Sequence, residues 1–402
     1  MRSNPKTFLM YCGITILIMA ALIVSFNVLV DPYLFFGSPR VERWNAGKPG
    51  MRNQSHLIKA YEVLRTHPNT VILGSSGMAI GIDARSPLWP TTTRPVYNLA
   101  LGGASLFMVR RYLQHILSAQ HLRAAILGVD FREFLGPSDS SAQDYESRLK
   151  ANRDGSTNTG ANRQRTKDLL YSTLSLQATT ESINTVFNNI SGESARIESG
   201  NMDSMDSNDF PALTSEFGSF PLMVRADLSY ARLYHDAELD TRGWSEIQEI
   251  MTLCQINRVS LTIILEPVHA DELEMAFLSG KWPAIESWKR HLVQIVATTN
   301  KNGAGPKTEL WDFFEYDKYS TEPVLDSHTS LHWFYTLSHY NHALGDAVLR
   351  RLLGAGDPTF GARLTPENID DHLAQVRKQR DLYRIRQPQD ASRIRKLYDE
   401  VN

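Results

Sequence analysis

The amino-acid sequence predicts an α/β fold, with three layers (α/β/α) built on a central parallel sheet, preceded by one transmembrane helix. Two patterns indicate this architecture. From about residue 54 onward, short and nearly continuous apolar runs alternate with helical patterns, as in parallel sheets that helices cover on both faces. Before them, residues 7–30 contain no charged side chain. A helix of that length covers about 36 Å, enough to cross a hydrocarbon layer of about 30 Å.

The composition excludes several classes of protein. The chain of 402 residues has 42 Lys and Arg against 44 Asp and Glu, a formal net charge of -2. A nucleic-acid-binding protein instead needs a basic surface that displaces counterions from phosphates. The hydrophobic fraction of 42% supports a substantial core and excludes a disordered chain. With only Cys12 and Cys254, the protein is neither a disulfide scaffold nor a cysteine-ligated zinc protein.

Residues 7–30 are interpreted as a permanent membrane anchor that follows a short tail, residues 1–6. A buried core helix and a cleavable signal peptide are the alternatives. A core helix of this length usually carries a polar stripe. The run is also longer than the usual apolar region of a signal peptide, and its end lacks a cleavage site. Basic residues flank the run on both sides, so their count does not set its orientation. We expect a single-pass protein of the inner membrane with a periplasmic main domain, because one N-terminal anchor most often leaves the large domain outside the cytoplasm.

The body of the chain follows a linker at residues 31–53, and the α/β domain is predicted at residues 54–355. Its strands are predicted at residues 70–74, 96–99, 124–130, 261–266 and 309–313. Its helices are predicted at residues 106–118, 241–258, 283–299 and 344–353. Ligands of such sheets bind beyond the carboxyl ends of the strands, so the residues at those ends are the first candidates for a site.

Two segments lie outside this alternation. An insertion at about 136–205 is rich in Ser, Asn, Asp and Gly and contains a helix-like island at residues 169–187. It is interpreted as a lid over the edge of the sheet or as an excursion without a role. The C-terminal extension, residues 356–402, is heavily charged and predicts solvated helices on the outside of the domain.

The first candidate for chemistry is a serine that follows the strand at residues 70–74. The strand runs directly into Ser75-Ser76-Gly77, which holds a hydroxyl where an α/β fold presents reactive groups. A free serine is a weak nucleophile and needs a base. The nucleophile-elbow pattern Gly-x-Ser-x-Gly is not met, because Gly77 comes one residue early. Gly-Ser-Ser-Gly is also typical of a plain turn.

Other strand ends carry polar groups that complement a serine. Asn98 ends the second strand and leads through Gly103 to Ser105, where a helix opens. Amides at such a helix start donate to anions, and glycine allows a close approach. Asp130 ends the third strand, and His339 precedes the last helix of the domain, where it can serve as a general base.

In this order the motifs resemble the blocks of the SGNH hydrolase superfamily, the GDSL-like esterases and acyltransferases. The Gly-Ser-Ser sequence that ends at Ser76 resembles the first block, which implies that Ser76 is the nucleophile. This form looks like that of membrane-anchored cell-envelope members involved in lipoteichoic acid D-alanylation. The stretch from Asn98 to Gly103 matches the second block, which implies that Gly103 helps to bind the oxyanion. The resemblance also implies His339 as the base, and this chemistry requires neither a metal nor a cofactor.

The sequence departs from the family at two positions. Asp130 stands where the third block has an oxyanion-binding asparagine, and an ionised carboxylate only accepts hydrogen bonds. Thr336 stands where the fifth block has the aspartate that orients the histidine, and it supplies no charge. One hypothesis restores the triad: Asp130 itself partners His339 at the same edge of the sheet. Asp326 is a further candidate to orient the imidazole, with no spacing argument in its favour.

Remaining histidines give weaker signals. His269 follows the strand at residues 261–266 and is interpreted as a substrate-binding residue, as an alternative base, or as the cap of the next helix. His328, His332, His339 and His342 fall within one short segment, but without the carboxylate of a His-Glu-x-x-His motif they are interpreted as scattered histidines. We therefore predict no metal site.

Two functions remain open at this point. The first is an acyl-ester hydrolase or O-acyltransferase that acts on a cell-envelope glycan or another polymer carrying acyl groups. Ser76 is then the nucleophile, and His339 is the base. The second is a catalytically silent SGNH-like protein that binds envelope polymer or a membrane protein partner, as the loss of the orienting acid at Thr336 suggests.

Overall fold

The structure, a computed structural model, describes most of the chain. The described residues are 5–135, 143–191, 219–236, 238–324 and 331–401. Their contacts form two compact units. The anchor unit comprises Met1–Arg65 and Asp144–Ser199, and the sheet unit comprises Thr66–Gln143 and Gly200–Asn402. Asp326 and His328, which the sequence singled out, lie outside the described residues.

The sheet unit is organised around a mostly parallel sheet. Its strands are β1 (Thr70–Leu73), β2 (Val96–Asn98), β3 (Ala124–Val129), β4 (Ser260–Leu265), β5 (Glu309–Asp312) and β8 (Ala362–Arg363). They are ordered β2-β1-β3-β4-β5-β8. The first five strands are parallel, and β8 pairs antiparallel with β5. The sequence therefore predicted the parallel sheet correctly, because β1, β3 and β4 are apolar runs buried on both faces.

The strand order determines where the site lies. From β1 the chain moves to β2 on one side, and from β3 it continues through β4 and β5 on the other. Helices lie on both sides of the sheet, as is expected when parallel connections run in opposite directions from one strand. The reversal of strand order makes the carboxyl ends of β1 and β3 a switch point, the place where open α/β sheets bind ligands.

The helices of the sheet unit agree with the predicted alternation and add several segments. They are α3 (Ser76–Gly81), α4 (Leu106–Leu117), α7 (Ser219–Asp236), α8 (Arg242–Ile256), α9 (Ala270–Leu278), α10 (Trp282–Asn302), α11 (His342–Leu352), α12 (Ile369–Arg386) and α13 (Pro388–Val401). A two-stranded hairpin, β6 (Phe334–Thr336) and β7 (His339–Tyr340), precedes α11. Phe334 and Tyr340 of the hairpin are fully buried in the apolar cluster that packs on the sheet.

The anchor unit contains α1 (Pro5–Val30), α2 (Ser55–Thr66), α5 (Ala161–Leu174) and α6 (Leu176–Ser191). Within the described residues, α1 is the one helix long and apolar enough to cross a membrane. The described part of the predicted insertion forms α5 and α6, which pack against α1. These helices, and residues 54–65, therefore belong to the anchor unit.

The C-terminal extension is attached more firmly than the predicted solvated helices would be. Acidic side chains of α9 are almost completely buried and pair with arginines of α12 and α13. Arg384 contacts Glu274 at 2.6 Å, and Arg393 bridges Asp271 and Asp227. Because buried carboxylates need paired cations, α9 holds both helices on the sheet unit.

The substitution Arg393→Ala tests this attachment. It removes the guanidinium that pairs with the buried carboxylates of Asp227 and Asp271, so we expect the free energy of unfolding to fall by about 3–5 kcal/mol. Thermal unfolding of the full chain in detergent, followed by circular dichroism, measures the loss. The matched control is Lys396→Ala on the same helix, whose exposed pair with Glu400 contributes less than about 1 kcal/mol. Equal losses in the two variants would contradict the attachment.

Candidate active site

Ser76 lies at the carboxyl edge of the sheet because β1 turns sharply into α3. Gly74 makes this turn with a φ of +142°, and a Cβ there would lie 2.6 Å from Met78 Cγ. Only glycine satisfies both the backbone angle and the space. Ser76 then begins α3, with its side chain partly exposed. The amide of Leu101 donates to the carbonyl of Gly74 at 3.2 Å, which joins the loop of Gly103 to that of Ser76.

The β6–β7 hairpin brings His339 to the same edge. Tyr340 is fully buried against α3, and a Cβ at Gly81 would lie 2.0 Å from its ring. The glycine therefore allows the close approach of the hairpin. The amide of His269 donates to Leu337 O at 2.7 Å and holds the hairpin turn from the other side. The position of His339 thus depends on packing between segments that are distant in sequence.

Ser76, His339 and Thr336 form a connected line of hydrogen bonds. His339 Nε2 lies 2.9 Å from Ser76 Oγ, and His339 Nδ1 lies 2.6 Å from Thr336 Oγ1. The two ends of the first contact are 263 residues apart in sequence. For Nε2 to accept the serine proton, the neutral ring must carry its own proton on Nδ1 and donate it to Thr336 Oγ1. This geometry is that of a nucleophile, a base and an orienting group.

The surroundings of His339 keep its ring neutral. Burial, and then the positive charge of Arg132, lower its pKa to about 3, against an opposing contribution from Asp130. Thr336 orients the ring without adding a charge that would stabilise the imidazolium. The ring is therefore available as an acceptor at neutral pH, but it is a weaker base than a histidine paired with a carboxylate.

Asp130 does not take the role that the sequence suggested. Among the described contacts its carboxylate forms no hydrogen bond with His339, and its charge acts on that ring only from a distance. Its Oδ1 instead accepts from the amide of Arg132 at 2.9 Å, and the guanidinium of Arg132 pairs with the same carboxylate. Arg132 also approaches Glu272 at 3.2 Å. Arg132 stands in no motif of the sequence, and it becomes relevant only because the structure pairs it with Asp130.

The two residues of the second block differ in exposure: Asn98 is buried in the fold, and Gly103 lies at the surface. Asn98 is fully buried and donates to the carbonyls of Met78 and Ile82 at 3.1 and 3.0 Å. It therefore terminates α3 from a buried position. Gly103 is exposed, with a φ of +67°, and among the described residues no heavy atom lies within 4 Å of a Cβ built there. Its amide remains a candidate oxyanion donor.

The two serines next to these motifs, Ser105 and Ser75, occupy the N-cap positions of helices. Ser105 caps α4 by accepting from the amide of Met108, at 3.4 Å. Ser75 is the N-cap of α3, although its side chain forms no capping hydrogen bond, and its carbonyl accepts from the amide of Ala79. Ser75 is partly exposed. The serine that contacts His339 is Ser76, and Ser75 is its neighbour in sequence.

His269 is the cap of a helix. Its ring is buried, and Nδ1 accepts from the amide of Asp271 at the start of α9. The other ring nitrogen, Nε2, lies 2.8 Å from the carbonyl of Glu322. Both ring nitrogens are thus engaged by the protein, so the predicted roles as substrate contact or alternative base are not supported. The capping alternative is the observed one.

A metal site has no support among the residues that the structure describes. They contain no group of three or more His, Cys, Asp and Glu side chains arranged to hold a metal ion. His332 packs edge-on against Trp333, with ring centroids 4.4 Å apart. His342 is the first residue of α11.

Glu266 is a buried acid beside Gly77, the residue after Ser76, and sequence reasoning passed over it. It follows β4, is 3% exposed, and its Oε1 has no hydrogen-bond partner within the described part of the chain. A Cβ at Gly77 would lie 2.1 Å from Oε2, and one at Gly128 would lie 2.6 Å from Oε1. These two glycines therefore make the space for the carboxyl group. Burial, with the nearby charge of Asp130, raises the pKa of Glu266 to about 8.

Replacing Glu266 by glutamine tests its protonation. A carboxyl with a higher pKa in the folded state than in the unfolded state binds more protons when folded. It therefore favours folding at low pH, and that contribution is lost as the pH rises from about 4.5 to about 8. In Glu266→Gln we expect the decline of stability over this window to be shallower by up to about 1.4 kcal/mol per pH unit.

Urea unfolding of the full chain at several pH values measures this slope. Glu249→Gln is the control, because that side chain is more than half exposed, and it should leave the slope unchanged. An unaltered slope in Glu266→Gln would mean that the carboxyl is ionised in the folded protein.

Known proteins offer no guide to the role of this site. The chain matches no protein-family model and no curated protein. The line from Thr336 through His339 to Ser76 is therefore the basis for the function proposed below.

Proposed function

We propose that this protein is a membrane-anchored serine acyl-ester hydrolase or O-acyltransferase of the SGNH type. The hydrogen bond of 2.9 Å between Ser76 Oγ and His339 Nε2, at the switch point of a parallel sheet, carries the proposal. The order of the motifs adds support, since a serine after β1 and a histidine before the last helix of the domain are the SGNH arrangement.

The proposed reaction begins at the acyl carbon of an ester. Ser76 Oγ attacks it while its proton moves to His339 Nε2, and the backbone amides of Ser76 and Gly103 stabilise the oxyanion. The alcohol leaves with the proton from His339, and an acyl-serine remains. Water or a sugar hydroxyl then attacks the acyl-serine, with His339 as base, and regenerates Ser76. Hydrolysis and transfer differ only in this acceptor.

The proposed substrate is an acylated glycan or other polymer of the cell envelope. The support is α1, an exposed apolar helix of 26 residues that would keep the enzyme at a membrane. We place the main domain on the periplasmic side of the inner membrane, where such polymers are assembled and modified. No nucleic acid and no cofactor takes part in this proposal.

A second candidate function is binding without catalysis. The specific observation in its favour is the neutral partner of His339, since Thr336 supplies no charge to stabilise an imidazolium. The protein would then hold envelope polymer, or a membrane protein partner, in the same crevice. The labelling experiment below separates the two functions.

Labelling with a fluorophosphonate probe tests for an activated serine. We expect the full chain in detergent to be labelled and Ser76→Ala to lose the label, because His339 activates only the hydroxyl it contacts. His339→Ala should slow the labelling by at least about a hundredfold. Ser75→Ala is the control for a neighbouring serine and should label as the wild type does. An intact protein that is never labelled would favour the binding function.

The substitution Thr336→Asp tests the charge behind the histidine. In the wild type we expect the labelling rate to be constant from pH 5 to 7, since the pKa of His339 is lowered to about 3 and the ring stays neutral. A carboxylate facing Nδ1 should raise that pKa and speed labelling at pH 7 by about tenfold or more. The variant should then lose activity as the pH falls and the ring becomes protonated. Thr336→Asn, which adds no charge, is the control, and equal rates in the two variants would contradict the argument.

A further inference from the structure

The two helices α5 and α6 have the reverse of the usual surface pattern. On α6 the buried side chains are small or polar, namely Ala178, Ser182, Thr185 and Asn189. The large apolar side chains of the same helix are exposed, namely Leu176, Ile183, Phe187 and Ile190, by 56% to 83%. A helix of a water-soluble protein buries its apolar stripe and exposes the polar one. An inverted helix indicates a solvent that is itself apolar.

The C-terminal half of α5 repeats this inversion. Ser172 and Thr173 are buried, whereas Leu169, Leu170 and Leu174 are 40% to 52% exposed. Large apolar side chains exposed together on adjoining helices form a patch, and such patches indicate a binding surface. The exposed apolar residues of α5 and α6 are hereafter called the apolar collar.

The apolar collar lies beside the end of the candidate membrane span. Asn27, in the last turn of α1, donates to Thr173 O at 2.9 Å and to Thr179 Oγ1 at 3.0 Å. Further along α6, Asn189 exchanges hydrogen bonds with Gly47 at 2.9 and 2.7 Å. The neighbouring Lys48 caps the carbonyls of Val30 and Asp31 at the end of α1. Contacts from both ends of α6 therefore converge on the same end of α1.

The length of α1 sets the depth of that end in a bilayer. Its 26 residues cover about 39 Å, about 9 Å more than the hydrocarbon core. About six residues of α1 therefore extend beyond the hydrocarbon core. The exposed part of the helix is its N-terminal part, residues 5–19, in which only Cys12 is partly buried. The last turns of α1, where the collar packs, then lie at the level of the lipid head groups. With 14 and 16 residues, α5 and α6 are too short to span the bilayer themselves.

The charges of α5 fit an anionic lipid surface. Its first half exposes Arg163, Arg165 and Lys167, and its second half exposes the leucines of the collar. Basic residues next to an apolar stripe are typical of helices that lie in the membrane interface, because the cations bind anionic head groups and the apolar face enters the acyl region.

We propose that α5 and α6 form an interfacial collar, with the exposed apolar residues of both helices inserted into an anionic lipid surface around the C-terminal end of α1. This inference rests on the proposed membrane span of α1. It assigns to the described part of the insertion a role in lipid binding, which neither sequence interpretation of that segment contained.

Depth-dependent fluorescence quenching tests the collar in the full chain. The protein is reconstituted into vesicles of phosphatidylcholine and phosphatidylglycerol, in a Cys12→Ser background that leaves only the buried Cys254. A polarity-sensitive fluorophore is attached at Ile183→Cys on the collar. Gln177→Cys, an exposed polar position about 120° around the same helix, is the matched control. Leu17→Cys on α1, which is 70% exposed, reports the anchor.

We expect lipids with a quencher on the acyl chain to remove about half or more of the signal at Ile183 and at Leu17, and about a tenth or less at Gln177. Quenching at Leu17 alone would overturn the collar and leave the anchor intact. No quenching at Leu17 would overturn the membrane span and the collar together. Equal quenching at Ile183 and Gln177 would overturn the orientation of α6. With pyrene as the label at Ile183→Cys, excimer emission without quenching by lipid would show that a second copy of the chain covers the surface.

Discussion

The close approach of the β6–β7 hairpin to α3 is the constraint on which the candidate active site depends. Tyr340 packs where Gly81 has no side chain, and its neighbour His339 thereby reaches the hydroxyl of Ser76 at the start of the same helix. Protein interiors are densely packed, so a side chain at Gly81 would displace the hairpin. A displacement of about 1 Å is enough to weaken a catalytic hydrogen bond. The chemistry of the site is thus set by the packing beneath it.

The charged groups of the site pair with one another, and His339 has an uncharged partner. Arg132 neutralises Asp130, and Thr336 orients His339 without charge. Glu266 lies behind Ser76 in space left by two glycines, where burial favours its protonated form. His339 therefore faces Ser76 as a neutral ring in buried surroundings. Such surroundings strengthen hydrogen bonds to a developing oxyanion, but they also make an imidazolium costly to form.

The anchor unit and the sheet unit differ in where they place their large apolar side chains. In the sheet unit, large apolar side chains fill the core, whereas α1, α5 and α6 present them outward. Small polar side chains fill the contacts between α5, α6 and the end of α1, where Asn27 supplies hydrogen bonds to both partner helices. Such contacts are typical of helices packed in lipid, since burial of apolar groups drives no association there.

The sequence by itself determined the strands, because a continuous apolar run such as residues 124–129 has few alternatives to a buried parallel strand. It also determined the apolar anchor and the placement of Ser76 at a strand end. Only the tertiary structure decided which residues meet there. Asp130 was considered as a partner of His339, and its contact with Arg132 was not foreseen. His269 was compatible both with a substrate and with a helix end. Side-chain partners depend on crossovers and hairpins that join residues hundreds of positions apart. A local sequence pattern contains no information on which distant residues will meet.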